Sequence, residues 1–356
     1  MSTMTRRRAI GLISLSATGT GLGFRLQDEV PTKSPTSAPG NQAPIPKRRL
    51  GKTDMVVSVV GFGGLPFGLA STEQGTATEL LNSALDHGLN FIDTAECYGH
   101  PGRNHAENLI GTAVSQRREE YFVCTKVGHE NGSFAQGHQD WSEASILRTM
   151  ERSLKRLKTD RLDLVYLHGC DLETLKSQVP LQALRVAQEK GMLRYIGYSG
   201  SGERVRFAIE SSAFDVVQVT FNVFEQDVIE DILPLARKHE LGVVIKRPLG
   251  NAVWRLKERP EWWYYHEYWD QISALNYEFF RPEAIEDPGP NGAGGVALRF
   301  VTSTPGVHTA IVGTQRPGRW SQNNANVSVG SLSEQQWQTI RRKWQKVAKS
   351  SQSADE

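Results

Sequence analysis

Residues 142–199 carry the pattern that decides the fold: SEASILRTMERSLKRLK (142–158), DLVYLH (163–168), LKSQVPLQALRVAQEK (175–190) and YIGYS (195–199). The two longer stretches repeat apolar residues at the spacing of an amphipathic helix. The two shorter stretches are apolar runs rich in β-branched and aromatic residues, which is typical of buried strands. Strands that alternate with helices of this length predict a parallel sheet with right-handed crossovers.

The same alternation extends in both directions from this stretch. The strand candidates are Val56–Val60, Asn90–Asp93, Tyr121–Lys126, Asp163–His168, Tyr195–Ser199, Val216–Thr220, Gly242–Lys246 and Thr309–Val312. Helical patterns lie at Thr76–His87, Ser142–Lys158, Leu175–Lys190, Asp227–His239 and Gly295–Val301. Eight such units favour an α/β fold, the closed (β/α)8 TIM barrel. The alternative, a Rossmann sheet, requires a Gly-x-Gly-x-x-Gly turn after an early strand, and the glycines of Val60–Gly64 have another spacing.

Composition and charge limit the possible partners. The chain has 356 residues, 38% of them hydrophobic and 22% charged, which supplies enough apolar material for a large core. The net charge is only +2, so nucleic acid is not expected as a partner. No apolar run reaches the length of a transmembrane helix. The cysteines (Cys97, Cys124 and Cys170) are too few for a disulfide scaffold and lack zinc-site spacing, so we interpret them as packing residues and expect no metal.

The first 46 residues look like an export signal followed by a linker. Arg6, Arg7 and Arg8 precede an uncharged and weakly hydrophobic stretch, Ala9–Phe24, which is typical of a bacterial twin-arginine signal. We assign residues 1–26 to this signal, residues 27–46 to a proline-rich linker and residues 47–350 to the barrel. The signal predicts a periplasmic or exported protein that meets the export machinery through its N-terminus. If the segment is only a basic tail, a cytoplasmic location follows.

An aromatic-rich insertion follows the seventh predicted strand. It contains Trp254, Trp262, Trp263, Tyr264, Tyr265, Tyr268 and Trp269. Its place in the chain predicts that it lies over the C-terminal mouth of the barrel, where active sites of this fold are found. We expect most of these rings to pack on the barrel wall; the alternative is that one or two line a substrate pocket.

Polar side chains stand at the ends of three consecutive predicted strands. Asp93 closes the second strand, Lys126 the third and His168 the fourth, and Tyr98 follows Asp93 in the loop. Each residue alone has a structural interpretation, such as a buried ion pair or a core histidine. Together they are difficult to explain by stability, because buried charges are costly unless they are paired.

These four residues fit proton donation to a carbonyl oxygen while hydride reaches its carbon. A free phenol has a pKa near 10 and is a weak acid at neutral pH. We expect the Lys126 cation to lower the pKa of Tyr98, and Asp93 to hold that ammonium in place. His168 would orient the carbonyl by hydrogen bonding or relay the proton. Hydride transfer itself requires a nicotinamide.

The motifs that contain these four residues, in this order along the chain, resemble those of the aldo-keto reductase superfamily. The resemblance extends from about Lys47 to Asn326. The resemblance implies a (β/α)8 barrel that interconverts an aldehyde or ketone and its alcohol with NADP(H). It implies the catalytic tetrad Asp93, Tyr98, Lys126 and His168, with Tyr98 as general acid. The cofactor-binding residues that it implies are Ser199, Gln218, Lys246, Arg247, Pro248, Leu249, Gly313, Thr314, Gln315, Arg319, Gln322 and Asn323. Among them, Ser199 and Gln218 would contact the nicotinamide amide, and Arg319, with Arg316 as helper, the adenosine 2′-phosphate.

The sequence departs from the family pattern at three cofactor positions. Gly200 replaces the usual Asn after Ser199, Lys246 replaces an aromatic residue that often stacks on the nicotinamide, and Gln322 replaces a common Glu.

The leading prediction is a reductase of a small carbonyl substrate, with a monomer as the default state. A non-catalytic nucleotide-binding barrel that regulates a partner protein is the alternative. A metal-dependent hydrolase ranks lower, because Val59–Phe62 offers no His-x-His ligand pair.

Overall fold

The computed structural model describes residues 44–69, 72–99, 105–129 and 139–353. Ten strands are present in these ranges: β1 Lys47–Arg49, β2 Val56–Ser58, β3 Val60–Gly63, β4 Phe91–Asp93, β5 Phe122–Val127, β6 Leu162–His168, β7 Leu193–Ser199, β8 Val216–Thr220, β9 Gly242–Lys246 and β10 Thr309–Val312. The predicted signal and residues 27–43 of the predicted linker lie outside the described residues. Ile45, inside that linker, is buried in the core.

Helices alternate with the strands. They are α1 Leu65–Leu69, α2 Gln74–Asp86, α3 Ala106–Val114, α4 Glu143–Leu157, α5 Leu172–Lys176, α6 Val179–Glu189, α7 Glu203–Glu210, α8 Ile232–Lys238, α9 His266–Trp269, α10 Ile272–Leu275, α11 Pro282–Glu286, α12 Ala293–Ser303, α13 Gly318–Ser328 and α14 Glu334–Ser353. Short 3-10 turns occupy Ser115–Glu120, Asp227–Ile229, Gly250–Arg255, Trp263–Tyr265 and Glu278–Phe280. Within the described ranges, no helix is both long enough and apolar enough to cross a membrane.

Strands β3 to β10 close into one barrel. Each pairs in parallel with the next along the chain, and β10 pairs with β3 to complete the ring. The predicted (β/α)8 barrel is therefore confirmed. Helix α4 illustrates why the helices cover it: Ser142 caps its first turn by accepting a hydrogen bond from the backbone N–H of Ser145 at 3.3 Å, and Ile146 and Met150 bury its inner face.

The first predicted strand, Val56–Val60, is wrong as a single element. Val56–Ser58 pairs antiparallel with β1 as a hairpin, and the first barrel strand starts at Val60. The chain changes course at Ser58, whose hydroxyl donates to the carbonyl of Val60 at 2.8 Å and whose backbone N–H donates to Asn90 Oδ1 at 2.6 Å. Apolar residues run through both strands, so the alternation of residue types did not reveal the break.

The hairpin closes the N-terminal end of the barrel. Leu50, Met55 and Val57 are fully buried and belong to one cluster with residues from the barrel interior: Phe91, Cys124, Leu164, Tyr166, Val216 and Val244. The opposite end, where the strands finish, is therefore the end at which polar side chains can collect.

Candidate active site

The three predicted strand-end residues lie on neighbouring strands of the barrel. Asp93 ends β4, Lys126 is the penultimate residue of β5, and His168 ends β6. Lys126 Nζ donates to Asp93 Oδ1 at 2.5 Å and to the carbonyl of Thr94 at 2.7 Å. Lys126 and Asp93 are both about 1% exposed, so the ion pair is inside the protein. These two hydrogen bonds fix the position of the Lys126 ammonium.

Tyr98 lies in the loop after β4 and faces the same group. Lys126 Nζ is 4.8 Å from the centre of the Tyr98 ring, and the His168 ring meets the Tyr98 ring edge-on at 6.1 Å between centres. The loop backbone is held by a hydrogen bond from the N–H of Ala106 to the carbonyl of Tyr98 at 2.9 Å. Gly68 of α1 packs so tightly on this backbone that an added Cβ would lie 2.4 Å from the carbonyl carbon of Tyr98. The structure therefore brings all four predicted tetrad residues together.

Burial governs the protonation of these groups. It raises the pKa of Tyr98 well above its usual value of 10.0, and the charge of Asp93 acts in the same direction. It lowers the pKa of His168 well below 6.5, with the charge of Lys126 as the next cause. The pKa of Tyr98 therefore shifts opposite to the lowering expected from Lys126, because loss of solvation outweighs the opposing cation, which is Arg247. At neutral pH the phenol is protonated and the imidazole neutral.

A chain of side-chain hydrogen bonds continues from Asp93 to β7 and β8. Gln218 Nε2 donates to Asp93 Oδ2 at 2.8 Å, and Ser199 Oγ donates to Gln218 Oε1 at 2.9 Å. All three side chains are buried. Ser199 and Gln218, which the resemblance assigns to the nicotinamide amide, thus also fix the second oxygen of the Asp93 carboxylate.

Gly200 follows Ser199, and the ring of Tyr198 explains its lack of a side chain. A Cβ at Gly200 would lie 2.6 Å from Cε1 of Tyr198, whose hydroxyl donates to the carbonyl of Cys170 at 2.9 Å. An asparagine at this position would displace that ring. The departure from the family pattern therefore has a packing reason in this chain.

The end of β9 brings two cations to the mouth. Lys246 is the last residue of this strand, and burial, helped by the charges of Arg247 and Lys126, lowers its pKa to about 7. Arg247 Nε donates to the hydroxyl of Tyr264 at 2.7 Å, so one ring of the insertion reaches the site. Pro248, which follows them in the chain, is buried and Leu249 is half-buried.

The aromatic insertion divides into packing rings and site rings, in line with its sequence interpretation. Trp254 and Tyr268 are buried and stack on Phe224 at 6.1 and 5.4 Å. Trp263 is 72% exposed. Tyr264 stacks on Trp262 at 4.8 Å, and its charge when ionised would raise the pKa of Tyr98, which places it beside the tetrad. The sequence pattern did not single out Tyr264 among its neighbours.

The remaining predicted cofactor residues follow β10 and line the first turns of α13. Gly313, Thr314 and Gln315 form the connecting segment, and Arg319, Gln322 and Asn323 lie on the helix. Gln315 Nε2 donates to Thr72 Oγ1 at 2.6 Å and to the carbonyl of Pro66 at 3.2 Å. Gln322 Oε1 and Asn323 Nδ2 are buried, and neither has a hydrogen-bond partner in the part of the chain that the structure describes. Buried polar atoms without partners are costly, so a ligand such as a nucleotide base fits there.

Three guanidinium groups interact electrostatically at the start of α13. Burial lowers the pKa of Arg319, and the charges of Arg255 and Arg316 lower it further. Among the described residues, none of the three side chains forms an ion pair with an acid. Such a cluster suits a phosphate. Sequence reasoning missed Arg255, because it lies in the insertion, far from the α13 motif along the chain.

The cysteines differ in their surroundings. All three are buried, and burial raises the pKa of Cys97 and of Cys170 to about 12, so these thiols are protonated. Cys97 Sγ lies 3.5 Å from His168 Nδ1, whereas Cys124 belongs to the interior cluster of the barrel.

The chain is similar to several known proteins. The model of the "Aldo/keto reductase family" matches residues 59–345. An "Uncharacterized oxidoreductase YqkF" of Bacillus subtilis is 29% identical over 304 residues, which covers 82% of this chain and 94% of the relative. Among solved structures, the aldo-keto reductase AKR11C1 from Bacillus halodurans (holo form) has a TM-score of 0.71 at 24% identity, covering 84% of this chain and 96% of the other.

A second solved structure, the glycerol dehydrogenase AKR11B4 from Gluconobacter oxydans, has a TM-score of 0.69 at 24% identity, with 83% of this chain and 94% of the other covered. At this level of identity both structures establish the shared barrel. The family model extends over most of the chain and includes the strands that carry Asp93, Lys126 and His168. The chain is a member of the aldo/keto reductase family.

Proposed function

We propose that this protein is an NADP(H)-dependent oxidoreductase that interconverts a small aldehyde or ketone and the corresponding alcohol. The observation that carries the proposal is the buried ion pair of Lys126 and Asp93, with Lys126 Nζ 4.8 Å from the ring of Tyr98 and His168 on the same side. Membership of an oxidoreductase family supports the same reaction class.

The residues of the chain have distinct roles in this proposal. Tyr98 carries a protonated hydroxyl and donates its proton to the carbonyl oxygen. Lys126 stabilises the phenolate that remains, since its ammonium is held beside the ring by Asp93. His168 is neutral, so it orients the carbonyl by donating a hydrogen bond without adding charge. The nicotinamide, when bound, supplies the hydride.

The test of function is turnover. Wild-type protein should oxidise NADPH when a panel of aliphatic and aromatic aldehydes is added, and should reduce NADP when the matching alcohols are added. Loss of absorbance by NADPH, followed with and without substrate, measures this. A protein that binds NADPH but turns over no member of the panel would support the alternative, a nucleotide-binding barrel that regulates a partner.

The preference for NADP(H) rests on Arg319 and its neighbours. A guanidinium pairs bidentately with phosphate oxygens, and the 2′-phosphate is present in NADPH and absent from NADH. Arg319→Ala should weaken NADPH binding about ten- to a hundredfold and leave NADH binding nearly unchanged. Arg342→Ala, at an exposed arginine of α14, is the control. Equal losses for both nucleotides would show that Arg319 supports the fold, and no loss would contradict the phosphate contact.

We also propose export by the twin-arginine route, on the strength of the basic and weakly hydrophobic N-terminus. Such a route carries folded proteins, which suits a protein that acquires its nucleotide before export. Changing Arg6, Arg7 and Arg8 to Lys keeps the charge and removes the guanidinium groups. Fractionation should then find the protein retained in the cytoplasm, and an unchanged distribution would mean that the segment is only a tail.

A further inference from the structure

Three side chains with metal-ligating atoms meet at the edge of the tetrad, and one of them is His168 of the tetrad itself. The ligating atoms of Cys97, His129 and His168 all lie within 4.8 Å of one another. They come from the loop after β4, the residues after β5 and the end of β6, so no spacing in the sequence reveals them. A ligand role for Cys97 would go beyond the packing role that the sequence predicts for it.

The distance between Cys97 and His168 suits a small metal ion. Zinc bonds to sulfur at about 2.3 Å and to nitrogen at about 2.0–2.1 Å, so two ligands of a tetrahedral site lie roughly 3.5 Å apart. Cys97 Sγ and His168 Nδ1 are 3.5 Å apart. The ring of half-buried His129 stacks on that of His168 with their centres 4.8 Å apart, which puts the third ligand next to the second.

The surroundings of His129 also match those of a metal ligand. Burial lowers the pKa of His129, and a hydrogen bond of its ring with the backbone of His168 opposes that shift. Histidines that bind metal commonly use their second nitrogen in this way, which fixes the ring and leaves the other nitrogen for the metal. The backbone of His129 forms a β-bridge with Gln139. Nε2 of His129 has only a long contact, 3.4 Å, with the amide nitrogen of Gln139, which a metal would replace.

We propose that Cys97, His129 and His168 form a Zn²⁺ site with its fourth position open to water. Binding forms the Zn–S bond of Cys97 and releases the thiol proton to solvent, so no redox step is involved. One sulfur and two imidazole ligands select a borderline-soft cation over Mg²⁺ or Ca²⁺. The adjacent Lys126 ammonium opposes a second cation, while the thiolate offsets one of the two zinc charges and the buried Glu96 and Glu107 lie near Cys97.

Calorimetric titration of the untagged protein with zinc chloride tests this proposal. The titration contains neither cofactor nor carbonyl substrate, so its result is separate from the proposed reductase function. The variants are Cys97→Ser and His129→Gln, and Cys170→Ser is the matched control, because Cys170 is also a buried thiol near His168 along the chain. Far-ultraviolet circular dichroism checks that each variant is folded. If Cys97→Ser does not fold, the zinc affinity of His129→Gln alone tests the proposal.

We expect one Zn²⁺ per chain in the wild type and in Cys170→Ser, with affinity at least about tenfold weaker in the two ligand variants. Cobalt, as a coloured substitute, should show a thiolate charge-transfer band that Cys97→Ser removes. No zinc binding by the wild type, or the same affinity in the wild type and both ligand variants, would overturn the proposal.

Discussion

Lys126 and Asp93 depend on each other because both are buried. The Asp93 carboxylate accepts two hydrogen bonds, one from Lys126 at Oδ1 and one from Gln218 at Oδ2, yet burial still raises its pKa above 3.8. The pair therefore costs free energy to bury, and what it provides is an ammonium fixed beside Tyr98. This arrangement fits a site selected for chemistry.

Removing one partner of the Lys126–Asp93 ion pair should lower the free energy of unfolding more than removing both charges. Lys126→Met leaves the Asp93 carboxylate buried without its cation and should lower the free energy of unfolding by about 3–5 kcal/mol. The double variant Lys126→Met/Asp93→Asn should recover much of that loss and none of the turnover. Urea unfolding and NADPH oxidation measure the two effects. A double variant no more stable than Lys126→Met would show that the ion pair does not determine the loss.

Lys246 should make stability depend on pH. Its pKa is lowered from 10.5 to about 7 in the folded protein, so between these values the unfolded chain binds one more proton than the folded chain. Stability therefore rises with pH across this window and is lowest below pH 7. Relative to Lys246→Met, the wild type should gain stability from pH 7 to pH 10 in urea unfolding. A constant difference between the two proteins would contradict the assignment.

At the scale of elements, the sequence predicts which residues end the strands. It does not predict which residues from distant segments contact them. The sequence predicts that Asp93, Lys126 and His168 lie at one mouth, and the structure has them at the ends of β4, β5 and β6, because parallel strands of a barrel bring their C-terminal ends together. The contribution of Gly68, Arg255 and Tyr264 depends on contacts between segments that are distant along the chain. The break at Ser58 was missed for a related reason, since its cause is a hydrogen bond to Asn90.

Helix α1 should position Tyr98 through Gly68. A Cβ at Gly68 would lie 2.4 Å from backbone of Tyr98, so Gly68→Ala must shift the loop that carries the phenol. Since displacement by about 1 Å can cost on the order of a hundredfold in rate, turnover should fall about ten- to a hundredfold with NADPH affinity nearly unchanged. Gly75→Ala is the control, because nothing lies within 4 Å of a Cβ at that position in α2. Equal turnover in Gly68→Ala and Gly75→Ala would contradict the proposal that Gly68 positions Tyr98.

At the scale of the whole molecule, stability and chemistry occupy opposite ends of the barrel. The β1–β2 hairpin fills the N-terminal end with apolar side chains, and the polar side chains of the candidate site collect at the other end. This separation lets the insertion after β9 carry site residues without opening the core.

The N-terminal plug should affect stability alone. Met55 is fully buried under the barrel, so Met55→Ala should lower the free energy of unfolding by about 2–5 kcal/mol. Nucleotide affinity, measured by fluorescence titration on the folded protein, should stay at the wild-type value. A large loss of affinity at unchanged stability would mean that the two ends are coupled.

The central claim is that the phenol of Tyr98 donates the proton in carbonyl reduction. Its most direct test is aldehyde-dependent NADPH oxidation by the wild type, Tyr98→Phe and Tyr166→Phe. Tyr166 is the matched control because it is also buried and its ring centre lies 5.9 Å from Lys126 Nζ, compared with 4.8 Å for Tyr98. Tyr98→Phe should lose at least about a hundredfold in turnover with NADPH affinity little changed, and Tyr166→Phe should keep its turnover. Near wild-type turnover in Tyr98→Phe would contradict the account.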